Sequence, residues 1–439
     1  MPPTQVAFGM GIRGNDDWIS TERPQSYREK ILHMYPNGDA PLTAMMAGLK
    51  SSSVNDPQFH WYTKTLPTRG GTVVNVHEAP GLGNAYDAGD DFAAGSMVYL
   101  EVALAIAKEF APNDVALMRD QSEPTNDIRG KVTDITEAGA ASVIHVKLLE
   151  ADGAAGFASD LSACDYVKKI GSMNPEGGTI PNALSYQPVK LTNYTQIFRT
   201  PVSITRTARK THLRTGNGYQ ELRREALQLH MVSIEEALFW GIATENTGSN
   251  GEPERTTGGI VDFIANNASD NVFDFVNNSE AAYASKTWEQ GGEEWLNEKL
   301  EIMFRYGSSE RLCYCGSGAL LGLNKLAALS GNIQLQTGAG QFGIAVRSWV
   351  TPFGTIHLKN HPLFTQDATT RNRMIAVSPE YLGERVIDNT FYKKDDGERK
   401  AGTVGFDGVK EEWLTEIGLQ LDHPHAFADF DGVGKDNAN

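Results

Sequence analysis

The chain has 439 residues, enough for two or three folding units with substantial cores. Lysine and arginine total 39 against 55 aspartate and glutamate, and the net charge of -16 disfavours nonspecific binding of nucleic acid through a basic surface. No apolar run is long enough to span a membrane, and the first residues lack the features of a signal peptide, so we expect a cytosolic protein. The three cysteines are too few for a disulfide framework and indicate a reducing compartment.

The first third of the chain predicts an arm, a broken strand and a small β-unit. Residues 1–57 mix glycine, proline and short apolar runs without a sustained period, which is typical of an arm that docks on another surface. Residues 59–63 alternate like a strand, and the proline- and glycine-rich stretch 66–83 interrupts this pattern. A small antiparallel barrel or sandwich, inserted at a loop tip, is predicted from four β-prone runs: 98–102, 115–118, 128–135 and 142–148.

Three helices are predicted in the middle of the chain. The first begins at Asn217 and runs for about 25 residues. Its apolar stripe consists of Leu227, Met231, Ile234 and Leu238, flanked by Leu222, Ala226, Leu229, Ala237 and Trp240. The other two helices are expected at 287–306 and 317–329, with a short strand at 311–315 between them. Strands dominate from residue 344 onward, so the sequence predicts a mixed α+β fold.

Several residue patterns that could carry chemistry lack the context that such chemistry needs. Two G-x-G-x-x-G matches, at 9–14 and 338–343, could approach a pyrophosphate, but no amphipathic helix follows the first and a β-type run follows the second. The segment 422–425, with Asp429 and Asp431, could ligate a divalent metal. Cys313 and Cys315 share one face of a predicted strand, but no further ligands accompany them, which favours buried thiols.

Charge is distributed unevenly along the sequence. Residues 199–224 contain seven arginines and lysines against Glu221, a balance of +6, whereas residues 76–160 contain fifteen acidic and five basic residues, a balance of -10. Both segments could be ordinary solvated faces. Alternatively, the basic segment contacts an acidic surface of a neighbouring copy, or it contacts DNA. The acidic total favours the neighbour over the DNA.

The segment from Asn193 to Ala208 carries the clearest resemblance to a known family. Asn-Tyr-Thr-Gln-Ile-Phe at 193–198 and Val-Ser-Ile-Thr-Arg-Thr-Ala at 202–208 lead into the long helix after Asn217. This order resembles the major capsid proteins of tailed double-stranded DNA bacteriophages, which have the Hong Kong 97-type fold. Matching pieces occur along nearly the whole chain, at 41–42, 59–61, 234–237, 255–260 and 377–382.

The resemblance implies a division of the chain into the parts of a Hong Kong 97-type subunit. An N-terminal arm, an extended loop called the E-loop, an inserted β-subdomain, a peripheral domain with a long spine helix, an axial domain and C-terminal strands are expected. Their ranges are, in that order, 1–57, 58–96 together with 161–215, 97–160, 216–310, 311–394 and 395–439.

The implied function is self-assembly into an icosahedral shell that encloses the genome, without a catalytic, cofactor-binding or metal site. The expected partners are further copies of the chain in hexamers and pentamers, a separate scaffolding protein and a portal, with a decoration protein as a further candidate. Candidate inter-subunit contacts are Phe59, Trp61, Arg199, Arg206, Arg209, Lys210 and Arg214. The resemblance implies a virion protein, assembled in the cytoplasm of a bacterial host. The competing hypothesis is a cytosolic enzyme that uses residues 422–431 or a glycine-rich loop.

Overall fold

The computed structural model describes residues 51–64, 66–87, 92–122, 127–139, 141–152, 161–178, 185–211, 217–330, 335–337, 347–394 and 408–438. The chain forms two compact units. The first contains the described residues up to Tyr62 and those from Lys190 onward, and the second contains those between Thr63 and Val189. Both glycine-rich motifs named above lie outside the described residues. Among the described helices, none is both long and apolar enough to cross a bilayer.

The strands of the described residues are, in chain order, β1 (Ser51–Ser53), β2 (Gln58–Thr63), β3 (Gly70–His77), β4 (Met97–Val102), β5 (Asp114–Arg119), β6 (Asp127–Thr136), β7 (Ser142–Leu148), β8 (Tyr166–Ser172), β9 (Val189–Tyr194), β10 (Gln196–Thr205), β11 (Thr244–Thr247), β12 (Pro253–Thr256), β13 (Val272–Asp274), β14 (Glu310–Cys315), β15 (Leu335–Thr337), β16 (Arg347–Val350), β17 (Thr355–Asn360), β18 (Met374–Val377), β19 (Leu382–Lys393), β20 (Gly408–Leu421) and β21 (Ala428–Asp431). The α-helices are α1 (Leu104–Ala107), α2 (Arg206–Lys210), α3 (Gly218–Trp240), α4 (Ile260–Asn267), α5 (Trp288–Met303), α6 (Ser317–Ser330) and α7 (Pro362–Gln366).

The second unit is a closed six-stranded barrel with the strand order β3-β4-β7-β6-β5-β8. Alternate side chains point inward along each strand, and Val98, Leu100 and Val146 in its core have no exposed surface. The range 97–160, predicted for the inserted subdomain, does not include β3 and β8. Because these two strands pair with each other and with β4 and β5, the barrel closes only when residues on both sides of that range take part.

A four-stranded sheet with the order β1-β19-β20-β10 forms one layer of the first unit. Strands β10 and β20 are antiparallel and stay in register from the pair Gln196 and Ile417 to the pair Thr205 and Gly408. The long helix α3 packs on this sheet, with Ile234 and Leu238 buried in the shared core. Of the predicted apolar face, Leu227 and Met231 are only half-buried. The expectation that Leu229 is buried is wrong, since 64% of this residue is exposed.

The other large sheet of the first unit has seven strands in the order β13-β21-β18-β14-β17-β16-β15. Strand β14 lies in its middle, parallel to β17 and antiparallel to β18. Trp288 and Trp295 of α5 and Leu323 of α6 belong to the apolar cluster packed on this sheet. Two smaller ladders, β2 with β9 and β11 with β12, complete the described strands.

The secondary structure confirms the mixed α+β class and the main predicted elements. Helix α3 begins after Asn217, whose side-chain oxygen accepts a hydrogen bond from the Tyr219 amide at 3.1 Å and so caps the first turn. Helix α5 begins after Thr287, which forms a reciprocal capping box with Gln290. The hairpin of β11 and β12 and the short helix α2 are absent from the sequence-based expectations.

Candidate assembly surface

The segment that carries the family resemblance forms the join between β9, β10 and the neighbouring strand β20. Asn193 is completely buried there. Its amide donates to the Leu419 carbonyl at 2.6 Å and to the Gly258 carbonyl at 3.2 Å, and its oxygen accepts from the Gly258 amide at 2.8 Å. Asn193 therefore links three segments that are distant in sequence, because each bond satisfies a backbone group that burial has removed from water.

Phe59 and Trp61, proposed above as inter-subunit contacts, are buried in the core of their own chain. Each is 7% exposed. Their rings stack with centroids 5.9 Å apart, and the Trp61 ring lies 5.6 Å from that of Phe263. The Trp61 indole nitrogen donates to the Leu421 carbonyl at 2.9 Å. Little of either side chain's surface is therefore left for a neighbour.

Arg199 already has an acidic partner in the same chain. Its guanidinium donates two hydrogen bonds of 2.8 Å to the Glu412 carboxylate on the adjacent strand, and the Lys393 ammonium lies 3.7 Å from that carboxylate. The Arg199 side chain is still 59% exposed. Because such an exposed pair contributes only about 0–1 kcal/mol, Arg199 can change partners at little cost in stability.

The exposed cations of the basic segment gather at one end of the four-stranded sheet. Helix α2 follows β10 directly, and the Thr205 hydroxyl caps it by accepting from the Ala208 amide at 3.2 Å. Arg206, Arg209 and Lys210 project from this single turn and are all exposed. The Arg209 guanidinium lies 5.3 Å from the centroid of the Tyr219 ring. Arg214 lies outside the described residues.

Arg223, in contrast, is held by aromatic rings at the beginning of α3. Its guanidinium lies 3.9 Å from the Tyr392 ring centroid and 5.7 Å from that of Tyr219. Both tyrosine hydroxyls donate short hydrogen bonds to the Glu411 carboxylate. Burial raises the pKa of Tyr392, and the hydrogen bond to Glu411 raises it further, so this phenol stays protonated and keeps donating.

Two buried polar contacts fix α3 to the rest of the first unit. His230 has no exposed surface, and its ring nitrogens lie 2.9 Å from the Thr200 hydroxyl and 2.7 Å from the Thr415 hydroxyl. Burial lowers the pKa of His230, because a charged imidazole would lose its hydration there. Further along the helix, Glu235 contacts His361 at 3.0 Å, and both side chains are fully buried. The sequence analysis missed both contacts.

The residues proposed as alternative metal ligands have structural partners. Asp429 accepts a hydrogen bond from Arg373 at 2.8 Å, and the His423 and His425 rings lie 5.6 and 5.3 Å from that of Tyr306. Within the ranges that the structure describes, no group of three or more histidine, cysteine, aspartate or glutamate side chains could hold a metal ion. Burial raises the pKa of the Cys313 thiol to about 12, so this side chain is a protonated, buried thiol.

The family model described as the SU10 major capsid protein matches residues 11–434, and the chain therefore belongs to that family. Its function is to form the shell of a phage capsid, and its place is in the virion.

Individual relatives are distant in sequence. The major capsid protein of Pseudomonas phage PaMx41 is 24% identical over 430 residues, which cover 94% of this chain and 93% of the relative. A solved structure from Mycobacterium phage Bobi is 8% identical and aligns over 97% of this chain and 95% of its own, with a TM-score of 0.44. The SrpI encapsulin of Synechococcus elongatus is 12% identical and aligns over 56% of this chain and 76% of its own, with a TM-score of 0.37.

Proposed function

We propose that this chain is the major head protein of an icosahedral phage capsid and that it encloses a double-stranded DNA genome without binding it sequence-specifically. Its copies form hexamers and pentamers in the cytoplasm of a bacterial host. The subunit has no catalytic role. A separate scaffolding protein directs assembly, a portal occupies one vertex, and a decoration protein is a further partner to be sought.

The observation that carries this proposal is the match of the capsid family model to residues 11–434, which covers nearly the whole chain. The net charge of -16 supports the same proposal. A net charge of that sign disfavours adhesion of free subunits to DNA before the shell has formed, since phosphate backbones attract cationic surfaces.

The expected parts of a Hong Kong 97-type subunit can be assigned to described elements. Residues 58–63 and 189–194, as β2 and β9, lead into and out of the second unit, in keeping with the base of an E-loop. Helix α3 is the proposed spine helix of the peripheral domain, and the seven-stranded sheet is the proposed axial domain. We extend the proposed inserted subdomain from 97–160 to the compact unit of residues 63–189.

We also propose that the cations between Arg199 and Arg224 contact an acidic surface on a neighbouring subunit. The exposure of Arg206, Arg209 and Lys210 on α2, at the end of the sheet, supports this role. Like charges placed opposite each other in an interface cost several kcal/mol, and a shell repeats the contact at every copy. Reversing Arg206 and Arg209 to glutamate is therefore expected to prevent shell formation while the subunit remains folded.

The test is negative-stain electron microscopy of the protein after overexpression, with circular dichroism as a check on folding. A matched control, Lys147→Glu with Lys168→Glu, makes the same change in charge on exposed residues of the barrel. Shells from the control but not from Arg206→Glu with Arg209→Glu support the contact. Shells of normal size and yield from both variants would mean that the segment is only a solvated face. Small compact particles from the unmodified chain would argue against the capsid itself.

A further inference from the structure

The hairpin of β11 and β12 is an acidic projection that follows directly after α3. Between Thr244 and Thr256 it carries three glutamates and one arginine, and this Arg255 pairs with Glu245 at 2.7 Å. Glu252 and Glu254 are exposed. The hairpin is a sheet of only two strands, and an isolated pair of strands is marginally stable without a surface to cover it. Its shape and charge therefore suit a docking element.

The base of the hairpin is attached firmly to the four-stranded sheet. The Thr257 amide donates to the Gln196 side-chain oxygen at 3.1 Å, and Gln196 is the first residue of β10. The Thr244 and Thr256 hydroxyls are 2.6 Å apart, and the Thr256 hydroxyl donates to the Ile242 carbonyl at 2.6 Å. The Thr257 bond places the base of the hairpin beside the first residue of β10, and the two threonine bonds hold the base of the hairpin together.

The cations of α2 occupy the opposite end of the same sheet, because α2 follows the last residue of β10. The ten residues of β10 span about 33 Å at roughly 3.3 Å per residue. The 23 residues of α3, which run back along the sheet, span about 35 Å at 1.5 Å per residue. The acidic hairpin and the cationic helix of one copy are thus too far apart to meet each other.

We infer that the hairpin of one copy docks on α2 of the next copy, with Glu252 and Glu254 facing Arg209 and Lys210. This inference rests on the proposed contact through the basic segment and names the surface that the segment meets. Opposite charges at opposite ends of one sheet define a head-to-tail contact, and contacts of that kind generate closed rings when the rotation between successive copies closes. Electrostatic complementarity then fixes which ends meet and in which register.

The acidic barrel is a weaker candidate for the surface that meets α2, because several of its carboxylates already have partners. Asp114 pairs with Lys169 at 2.6 Å, and Asp127 pairs with Arg119 at 2.6 Å. Glu150 also lies 3.2 Å from an arginine of the barrel. In the hairpin, only Glu245 has such an ion pair among the described contacts. A cation that approaches the hairpin therefore displaces fewer existing bonds.

Disulfide trapping tests this contact directly, since the three native cysteines are all buried and leave introduced cysteines as the reactive thiols. The variant Lys210→Cys with Glu254→Cys is oxidised and analysed on a non-reducing gel. A ladder of covalent oligomers that ends at a ring is expected, because each copy has one cysteine at each end. A mixture of the two single variants should stop at dimers. The pair Lys168→Cys with Glu254→Cys serves as the control and should give no ladder.

A charge exchange provides the second measurement. The changes Arg209→Glu with Lys210→Glu, and separately Glu252→Lys with Glu254→Lys, should each lower the yield of particles about tenfold or more, and combining all four should restore it. Two results would overturn the docking of the hairpin on α2. One is a ladder no stronger than that of the control pair, and the other is a particle yield of the fourfold variant no higher than that of either double variant. The two proposals can fail separately. If the unmodified chain forms no shells, the capsid proposal fails, but the disulfide ladder measured on soluble protein still shows whether the contact between the hairpin and α2 exists.

Discussion

Replacing Asn193 with alanine tests how strongly the turn at 257–259 is locked to the four-stranded sheet. The Asn193 side chain is completely buried and bonds to the Leu419 carbonyl and to both backbone groups of Gly258. Alanine removes these partners and leaves at least two polar groups without them in a site closed to water. Because each such group costs about 1–3 kcal/mol, we expect the free energy of unfolding to fall by about 2–5 kcal/mol.

Thr192→Ala is the matched control in the neighbouring position of β9. The Thr192 hydroxyl lies 2.9 Å from a ring nitrogen of His60 in a contact exposed to solvent, so its loss should cost less than about 1 kcal/mol. Urea unfolding of the unassembled subunit, followed by tryptophan fluorescence, measures both. All seven tryptophans lie outside residues 63–189, so the signal reports only on the first unit. Equal losses of stability in the two variants would refute the role assigned to Asn193.

Three further outcomes are expected. Leu238→Ala should lower the free energy of unfolding by about 2–5 kcal/mol, because this side chain is fully buried. Leu229→Ala, at an exposed position of the same helix, should lower it by under about 0.5 kcal/mol. Similar losses for the two variants in urea unfolding would contradict the packing of α3. Because the pKa of His230 is lowered in the folded protein, the unfolded chain binds a proton to this residue more readily than the folded chain does. The stability that neutral His230 contributes should therefore be fully present above about pH 6.5, and it should be lost as the pH falls from that value towards the folded-state pKa. His230→Gln should flatten this decline, and an unchanged pH profile would count against it. Replacing the whole unit between residues 63 and 189 with a glycine-serine linker should leave a soluble first unit that is still helical by circular dichroism. Removing 97–160 alone should instead cause aggregation, because β3 and β8 then lose the strands that pair with them in the barrel.

The sequence predicted best those elements whose signals are local. The cap at Asn217, the capping box at Thr287 and the β-branched residues of β7 each depend on residues within a few positions of one another, so short-range patterns are sufficient to locate α3, α5 and this strand. The strand β3 was interpreted as part of a proline- and glycine-rich loop. Its pairing with β8 joins residues almost a hundred positions apart, which no local pattern encodes.

The candidate site was harder to predict because its key contacts join distant segments. Phe59 and Trp61 alternate along the sequence as exposed aromatic residues of a docking strand would. The indole of Trp61 is nevertheless buried, and it donates a hydrogen bond to the carbonyl of Leu421, a residue far along the chain that no local pattern connects with it. His230 and Glu235 have the polarity of solvated helix positions, but Thr415 and His361 satisfy them in the interior. Leu229 has the opposite character, apolar but exposed, and the helical period alone could not distinguish it from Leu238.

The places of β20 and β21 have a consequence for how the protein is made. Strand β20 lies between β19 and β10, and β21 lies between β13 and β18, so each large sheet receives an inner strand from residues 408–431. Neither sheet can close until the ribosome has synthesised and released this late segment. A chain that stops before these residues lacks an inner strand of both sheets. Copies that lack this segment are therefore expected to complete neither sheet and to be left out of a growing particle.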